Sequence, residues 1–447
     1  MAASLIWFNQ NLRLHDNEVL HIAADIQQPL ICWYCIDSAW FKSDRYGLRS
    51  MGEHRWRFLK TSLDIFAQQL QSVGQKLYIT YGDPVVKLAE VIDTYDVNCV
   101  ISQHQANSDA QQQWLQVQQQ YPELSYHRPH NFTLFKPDQL PQSDNFPASF
   151  TQFRKQVEAF DVPALSACPA QLPPPLPLRL EASLLQQGPD VDNESPVIFS
   201  GGELAGLSQV ETYFSGVAAS SYKKTRNALM GWSTSTKFSP WLASGTLSVR
   251  YLLQALKQFE SQHQPNESTY WIYFELLWRE YFQWYAEHFQ HRLFDFKGIS
   301  KTKPLTAFYP QRFKQWVNGS TPWPIVNACM NELKHTGYLS NRGRQLVASC
   351  LVNELSLDWR CGAAYFEQQL LDYDPASNWG NWQYIAGVGP DPRGGRHFNL
   401  VEQTKTHDPE GHYCQQWLDN SVAMPSSDTF DRVDHVDMVD WPITPSS

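Results

Sequence analysis

The sequence predicts an α/β domain on a doubly wound parallel sheet, followed by an all-α domain, with a long connector between them. Three observations carry this. Short apolar runs alternate with amphipathic stretches over the first 130 residues. A proline-rich segment follows. From about residue 201 the apolar spacing turns helical.

Residues 4–8 (SLIWF), 30–36 (LICWYCI), 76–80 (KLYIT) and 97–102 (VNCVIS) read as buried strands. Trp56–Val73 and Pro84–Tyr95 are the clearest helices between them. No GxGxxG follows the first strand, so a dinucleotide site there is unsupported. Cys32 and Cys35 form a CxxC inside a strand with no second pair, which predicts buried thiols and no metal site. The chain therefore divides into an α/β domain at 1–130, a connector at 131–200, a helical domain at 201–420 and an acidic, flexible tail at 421–447. The connector's PALSACPAQLPPPLPLRL excludes regular helix. In the helical domain Val249–Glu260, Ser268–His288, Ile325–Thr336 and Asn341–Leu355 carry the period.

Of 447 residues, 42% are hydrophobic and 18% charged, the balance of a globular protein. The 17 Trp suggest stacking work beyond core filling. The net charge of −10 argues against a nucleic-acid partner, but it is unevenly spread. Six Asp and one Arg fall after residue 418, whereas 212–259 and 333–353 contain no acid. A local basic face is therefore compatible with the composition. No run of 18 apolar residues exists, and the N-terminus lacks a signal-peptide pattern. The scattered cysteines fit a reducing compartment, so a cytoplasmic protein with no membrane partner is expected.

Four constellations could carry chemistry. Tyr222-Lys-Lys-Thr-Arg226 precedes Ser235-Thr236-Lys237-Phe238-Ser239, a hydroxyl-rich run before a helix that suits a phosphate, or simply caps the helix. Glu275, Trp278 and Arg279 share a helix face, suiting a planar hydrogen-bonding ligand or a plain surface salt bridge. Asn341, Arg344 and Gln345 gather on another face, while Arg342 points elsewhere. Asp372, Asp374, Asn378 and Trp382 lie in a fourth block, where carboxylates before Pro and Asn are ordinarily turn formers.

Together these blocks resemble the photolyase/cryptochrome flavoprotein family. The likeness runs from Leu5-Ile-Trp-Phe through His15-Asp-Asn-Glu to Phe398-Asn and Asp408-Pro-Glu-Gly-His-Tyr-Cys-Gln-Gln-Trp417. Tyr222-Lys-Lys-Thr-Arg-Asn, Ser340-Asn-Arg-Gly-Arg-Gln345 and Asp372-Tyr-Asp-Pro-Ala-Ser-Asn-Trp-Gly-Asn-Trp-Gln-Tyr384 resemble its DASH branch. Gln345 and Tyr384 stand where ordinary dimer photolyases carry Met and Trp.

The resemblance implies FAD folded in the helical domain. Tyr222 and Ser235–Ser239 would hold its phosphates. Arg279, Asn341, Arg344, Asp372 and Asp374 would surround ring and ribose, and Asn378 would face flavin N5. Trp382 and then Trp359 would pass electrons outward. The usual outermost Trp is Thr306 here, leaving a tyrosine or Trp323 as open ends of the path, with Trp316 matching a different family position. The implied reaction is blue-light splitting of cyclobutane pyrimidine dimers, preferentially in single-stranded DNA, by a monomer. Glu275 and Asn341 would stand between flavin and lesion. Trp278, Gln345 and Tyr384 would line the lesion site, and Arg226 and Arg342 would hold DNA phosphates. A folate antenna, methenyltetrahydrofolate, would contact the loop at Gln105, where an acid is usual. The alternative is a blue-light receptor without repair.

Overall fold

The computed structural model describes residues 2–43, 47–140, 146–147, 149–178, 197–390 and 394–418. The acidic tail expected at 421–447 lies outside them.

Five parallel strands, β1 (Ala3–Phe8), β2 (Leu30–Asp37), β3 (Leu77–Gly82), β4 (Val97–Ser102) and β5 (Ser125–His127), stand in the order β3-β2-β1-β4-β5. Helices α1 (Glu18–Ile26), α2 (Glu53–Ser72), α3 (Pro84–Tyr95) and α4 (Ser108–Gln120) connect them. Burial on both faces explains the continuous apolar runs of β1 and β2. It also explains the CxxC. Cys32 and Cys35 are three apart in a strand, so they pack into the two cores on opposite faces of the sheet and cannot meet. The short β5 escaped prediction because three residues give no alternation to read.

The connector holds a helix ahead of its proline-rich part. Phe150–Val157 forms α5, whose Phe150, Phe153 and Val157 insert into the helical core. Its proline-rich part instead runs beside β2, where Leu30 N–H donates to Pro174 O and Leu176 N–H to Leu30 O. Residues 179–196 lie outside the description.

The helical domain comprises α6 (Glu203–Phe214), α7 (Ala218–Thr225), α8 (Ser239–Ser244), α9 (Val249–His263), α10 (Glu267–Phe289), α11 (Pro310–Val317), α12 (Pro324–Thr336), α13 (Asn341–Ser349), α14 (Trp359–Gln369), α15 (Pro375–Ala386), α16 (Leu400–His407) and α17 (His412–Trp417). Caps set the boundaries. Ser248 accepts from two backbone N–H groups to start α9, and Asn266 with Thr269 forms a capping box for α10. The helix expected over Asn341–Leu355 changes to a π-helical turn at Cys350–Glu354, where Asn353 Nδ2 donates to the Ser349 carbonyl at 3.1 Å.

A buried polar seam joins the domains. Arg13 donates to Gly245 O at 2.7 Å, and Glu203 accepts from Leu14 and His15 N–H at 2.9 and 3.0 Å. On α10, buried Glu280 accepts from Leu134 and Phe135 N–H at 2.8 and 3.1 Å and from Trp284 Nε1 at 2.9 Å. Glu280→Ala would leave three buried donors unpaired. It is expected to cost about 3 kcal/mol or more, read as a lowered midpoint in thermal or urea unfolding.

Candidate functional site

A cavity of about 280 Å³ lies among α7, α8, α10, α13 and α15. Its lining draws on segments from Tyr222 to Ile385, so a ligand there would touch most of the helical domain. The side chains divide by exposure. Asp372, Asp374, Asn378 and Trp382 are buried, whereas Glu275, Gln345 and Tyr384 are half-buried and Asn341 is exposed. The cavity thus has a buried floor and a polar rim.

One end is built by Ser235–Ser239, ahead of α8. Thr225 Oγ1 donates to Thr234 O at 2.8 Å and Gln209 Nε2 to Thr236 O at 3.1 Å, which fixes this loop. Lys237 sits at φ 58°, a strained conformation for a lysine, with its ammonium 4.8 Å over the Tyr338 ring. Burial lowers its pKa to about 8, so an anion at this spot would be strongly favoured. Tyr222, whose hydroxyl is pushed up by burial, lines the same end.

At the floor, Arg344 Nη2 meets Asp372 Oδ2 at 2.7 Å, while Asp372 Oδ1 is buried with no hydrogen-bond partner. A buried acceptor left open is costly unless a ligand donor reaches it. Asp374 caps α15, accepting from Ser377 N–H, and also accepts from Gln283 Nε2, both at 2.8 Å. Capping and site roles thus coexist in one residue. Asn378 Nδ2 donates to Ala363 O at 3.0 Å, which fixes how its amide turns. Trp382 lies against Gly362, where any Cβ would strike its ring.

At the rim, Arg226 Nη1 and Glu275 Oε1 pair at 2.6 Å. Burial raises the Glu275 pKa and Arg226 opposes this. Tyr384 bonds Arg396 through its hydroxyl and meets Trp278 edge-on at 5.8 Å.

Of the residues singled out in the sequence, Tyr222, Arg226, Ser235, Thr236, Lys237, Phe238, Ser239, Glu275, Asn341, Arg344, Gln345, Asp372, Asp374, Asn378, Trp382 and Tyr384 line this one cavity. Arg279 stands outside its wall, donating to Phe132 O at 2.9 Å with its guanidinium 4.2 Å over the Phe132 ring. Shared helix spacing brought it near Glu275, but the connector supplied its acceptor. Trp278 stands behind the wall, stacked on Phe150 at 3.8 Å. Arg342 bonds Asn227 and Gln403 at 3.3 Å. Trp359 is buried, donating to Phe296 O at 3.0 Å. Tyr338, Phe366, Tyr373 and Asn381 line the cavity without having been singled out. Asn381 follows Asn378 by one turn, a signal that was available.

The loop at Gln105 borders a different cleft. His104 and His130 stack at 3.9 Å, and His130 lies parallel to Trp284 at 6.0 Å. His104 Nε2 also pairs with Glu287 at 2.7 Å. What remains is about 20 Å³, room for one water. Gln105 is itself buried. A folate ring does not fit these residues as they stand. Among the described residues no cluster of His, Cys, Asp or Glu could hold a metal ion, and no helix is long and apolar enough to cross a membrane.

The chain is similar to known proteins over nearly its whole length. Residues 4–175 match the family model for DNA photolyase, and 271–438 match that for the FAD binding domain of DNA photolyase. It is 47% identical to a cryptochrome DASH of Idiomarina loihiensis, covering 98% of this chain and 96% of that protein. The solved cryptochrome of Synechocystis sp. superposes with a TM-score of 0.88 at 37% identity, covering 94% of this chain and 89% of that one. A class III photolyase from Agrobacterium tumefaciens superposes at 0.79 and 26% identity, covering 93% and 86%.

FAD fits the larger cavity. The Ser235–Ser239 end with Lys237 suits its diphosphate, and Asp372 Oδ1 waits for a donor. Lys237 is cationic below its pKa of about 8, and a bound diphosphate would raise that pKa. FAD affinity is therefore full below pH 8 and falls as pH rises through it. Fluorescence titration at pH 7 and 9.5 checks this, with the slope lost in Lys237→Met. Freshly purified protein is expected to show flavin absorption and no folate band.

Proposed function

The chain belongs to the DNA photolyase/cryptochrome family, is of the cryptochrome DASH type and carries FAD; from that premise we propose that it splits pyrimidine dimers in single-stranded DNA under blue light. The observation that carries this is the shared cavity. Groups suited to the flavin, Asn378 and Trp382, and groups suited to a flipped base, Glu275, Gln345 and Tyr384, line one continuous space. A lesion there would touch the cofactor directly.

When bound and reduced, FAD supplies the light-driven electron that opens the cyclobutane ring. The protein's part is position and electrostatics. Arg344 and Asp372 hold the floor as an ion pair, so the carboxylate's second oxygen can accept from the cofactor without carrying an uncompensated charge. Asn378, with its amide fixed by Ala363, offers a neutral dipole to the ring. Glu275 is held in the wall by Arg226. Burial raises its pKa and Arg226 lowers it, so once a DNA phosphate takes Arg226 the balance shifts toward the acid, which can donate to a pyrimidine carbonyl where negative charge develops. Arg226, released from Glu275, is free to take a backbone phosphate beside the lesion.

Single strands are favoured for an energetic reason. Extruding a base from duplex costs a few kcal/mol, and aromatic stacking repays about 1–3 kcal/mol per base. Here Trp278 lies between Phe150 at 3.8 Å and Phe282 at 5.5 Å, both near parallel, so it offers its edge rather than a free face. Tyr384 brings a smaller ring, already engaged by Arg396. The pocket repays little of the duplex cost.

The test is illumination of the chemically reduced protein with thymine-dimer oligonucleotides of one sequence, single- and double-stranded. Repair of the single strand at least tenfold faster is expected. Equal rates would refute the strand preference. No repair of either would favour the receptor reading.

A further inference from the structure

Trp316 touches Trp382, Trp359 and Trp379 stand within a helical turn of Trp382 or of the glycine it packs on, and the indole N–H partners of the three differ. Trp316 lies 6.3 Å away and donates to Val347 O at 3.0 Å. Trp359 stands on α14, three residues before the Gly362 on which Trp382 packs, and donates to Phe296 O. Backbone carbonyls cannot take a proton. Trp379, one turn before Trp382 on α15 and 5.8 Å from Trp359, is different. Its Nε1 donates to the Tyr373 hydroxyl at 3.1 Å. The Glu367 carboxylate neighbours the Tyr373 hydroxyl, and Arg55 of α2 lies 4.6 Å over the Tyr373 ring. Meanwhile Thr306 is not aromatic, and Leu305 beside it is fully exposed.

We propose that photoreduction of this protein draws its electron from Tyr373 through Trp379, with Glu367 accepting the phenolic proton. The inference rests on the light-driven reading above but concerns how the oxidised protein is reduced, not how a dimer is split. The balance is simple. Light moves one electron from Trp382 to bound, oxidised FAD. Trp379 refills Trp382, directly or by way of Trp359, and Tyr373 refills Trp379, one electron each time. The Tyr373 proton moves to the neighbouring Glu367 carboxylate. In sum FAD gains one electron, Tyr373 loses one electron and one proton, and Glu367 gains one proton. No ring keeps a positive charge; it remains on Arg55, whose carboxylate neighbour has been neutralised. An oxidised phenol is a very strong acid, so a base within hydrogen-bond reach traps the hole and slows its return.

Burial pushes the Glu367 pKa up to about 7, with Arg55, Tyr373 and Trp379 lowering it and Asp109 of α4 raising it. It is therefore a carboxylate above neutrality and an acid below. The trap should work only in the first form.

The experiment is laser-flash excitation of the FAD-loaded, oxidised full chain, followed by time-resolved EPR and transient absorption of the aromatic radicals. A tryptophan signal giving way to a neutral tyrosyl signal is expected. Its yield should rise severalfold as pH climbs through 7. Tyr373→Phe should abolish the tyrosyl signal and shorten radical lifetime at least tenfold, and Trp379→Phe should do the same without altering the tyrosine. Glu367→Gln should remove the pH dependence. FAD content of each variant controls for folding. A tyrosyl signal that survives Tyr373→Phe, or a long-lived tryptophan signal as the end state in the unaltered chain, would overturn the proposal. Repair by chemically reduced, unaltered protein is read separately, so failure of the repair function and failure of this path are distinguishable.

Discussion

A 23-residue helix, α10, is buried on nearly every side, and its polar residues can remain there only with partners. That constraint organises the molecule. Glu280 takes two connector N–H groups, which fastens the chain between the domains to the helical core. Gln283 donates to Asp374, and Tyr285 donates to Gln383 at 2.6 Å, so α15 is registered against α10 at two points. Glu287 reaches His104 in the α/β domain. Glu275 pairs with Arg226 beyond α7. Shifting α10 by one residue would break all of these together. The cavity floor on α15 and the rim on α10 therefore keep their relative placement because one helix is bonded to both domains.

The same pairs correct the linear picture of charge. Residues 212–259 contain no acid, which read as a basic face. In the fold, α10 and its neighbours bring acids to it. Lys223 meets Glu267, Arg226 meets Glu275, Lys257 meets Glu260 and Arg250 meets Glu18. The face is less basic than its sequence, and phosphate must compete with carboxylate for Arg226. Such competition lowers affinity but ties it to a partner that can displace Glu275, which favours a bound lesion over bare backbone.

What was legible in the sequence was local. The strands showed as apolar runs, and the cavity's main motifs showed as short blocks with helical spacing, because i, i+3 and i+4 neighbours share a face whatever the tertiary fold. What was illegible depended on partners far along the chain. Nothing near Arg279 announces that Phe132 holds it. Nothing in the connector's composition announces that Phe150 will stack on Trp278 from α5. The folate cleft turned on three aromatic residues, His104, His130 and Trp284, that come from three separate segments. Trp379 and Tyr373 stood inside a block whose other members drew the attention, and only Glu367 and Arg55 make them a unit.

The surplus of tryptophan can now be divided by chemistry rather than by position. An indole is large, and burying it leaves one N–H to satisfy. Trp241, Trp316 and Trp359 each give theirs to a backbone carbonyl at 3.0 Å, which satisfies the donor and locks the ring. These can fill a core and relay charge in passing, but a hole on them stays a cation in a medium that solvates it poorly. Trp284 gives its N–H to Glu280, whose carboxylate is already spoken for by Leu134 and Phe135. Trp379 differs from these in giving its N–H to a phenol that neighbours a carboxyl able to change protonation. Ring contacts are common in this core and so discriminate little. The identity of the atom that accepts the indole hydrogen separates a tryptophan that packs from one beside which charge can come to rest.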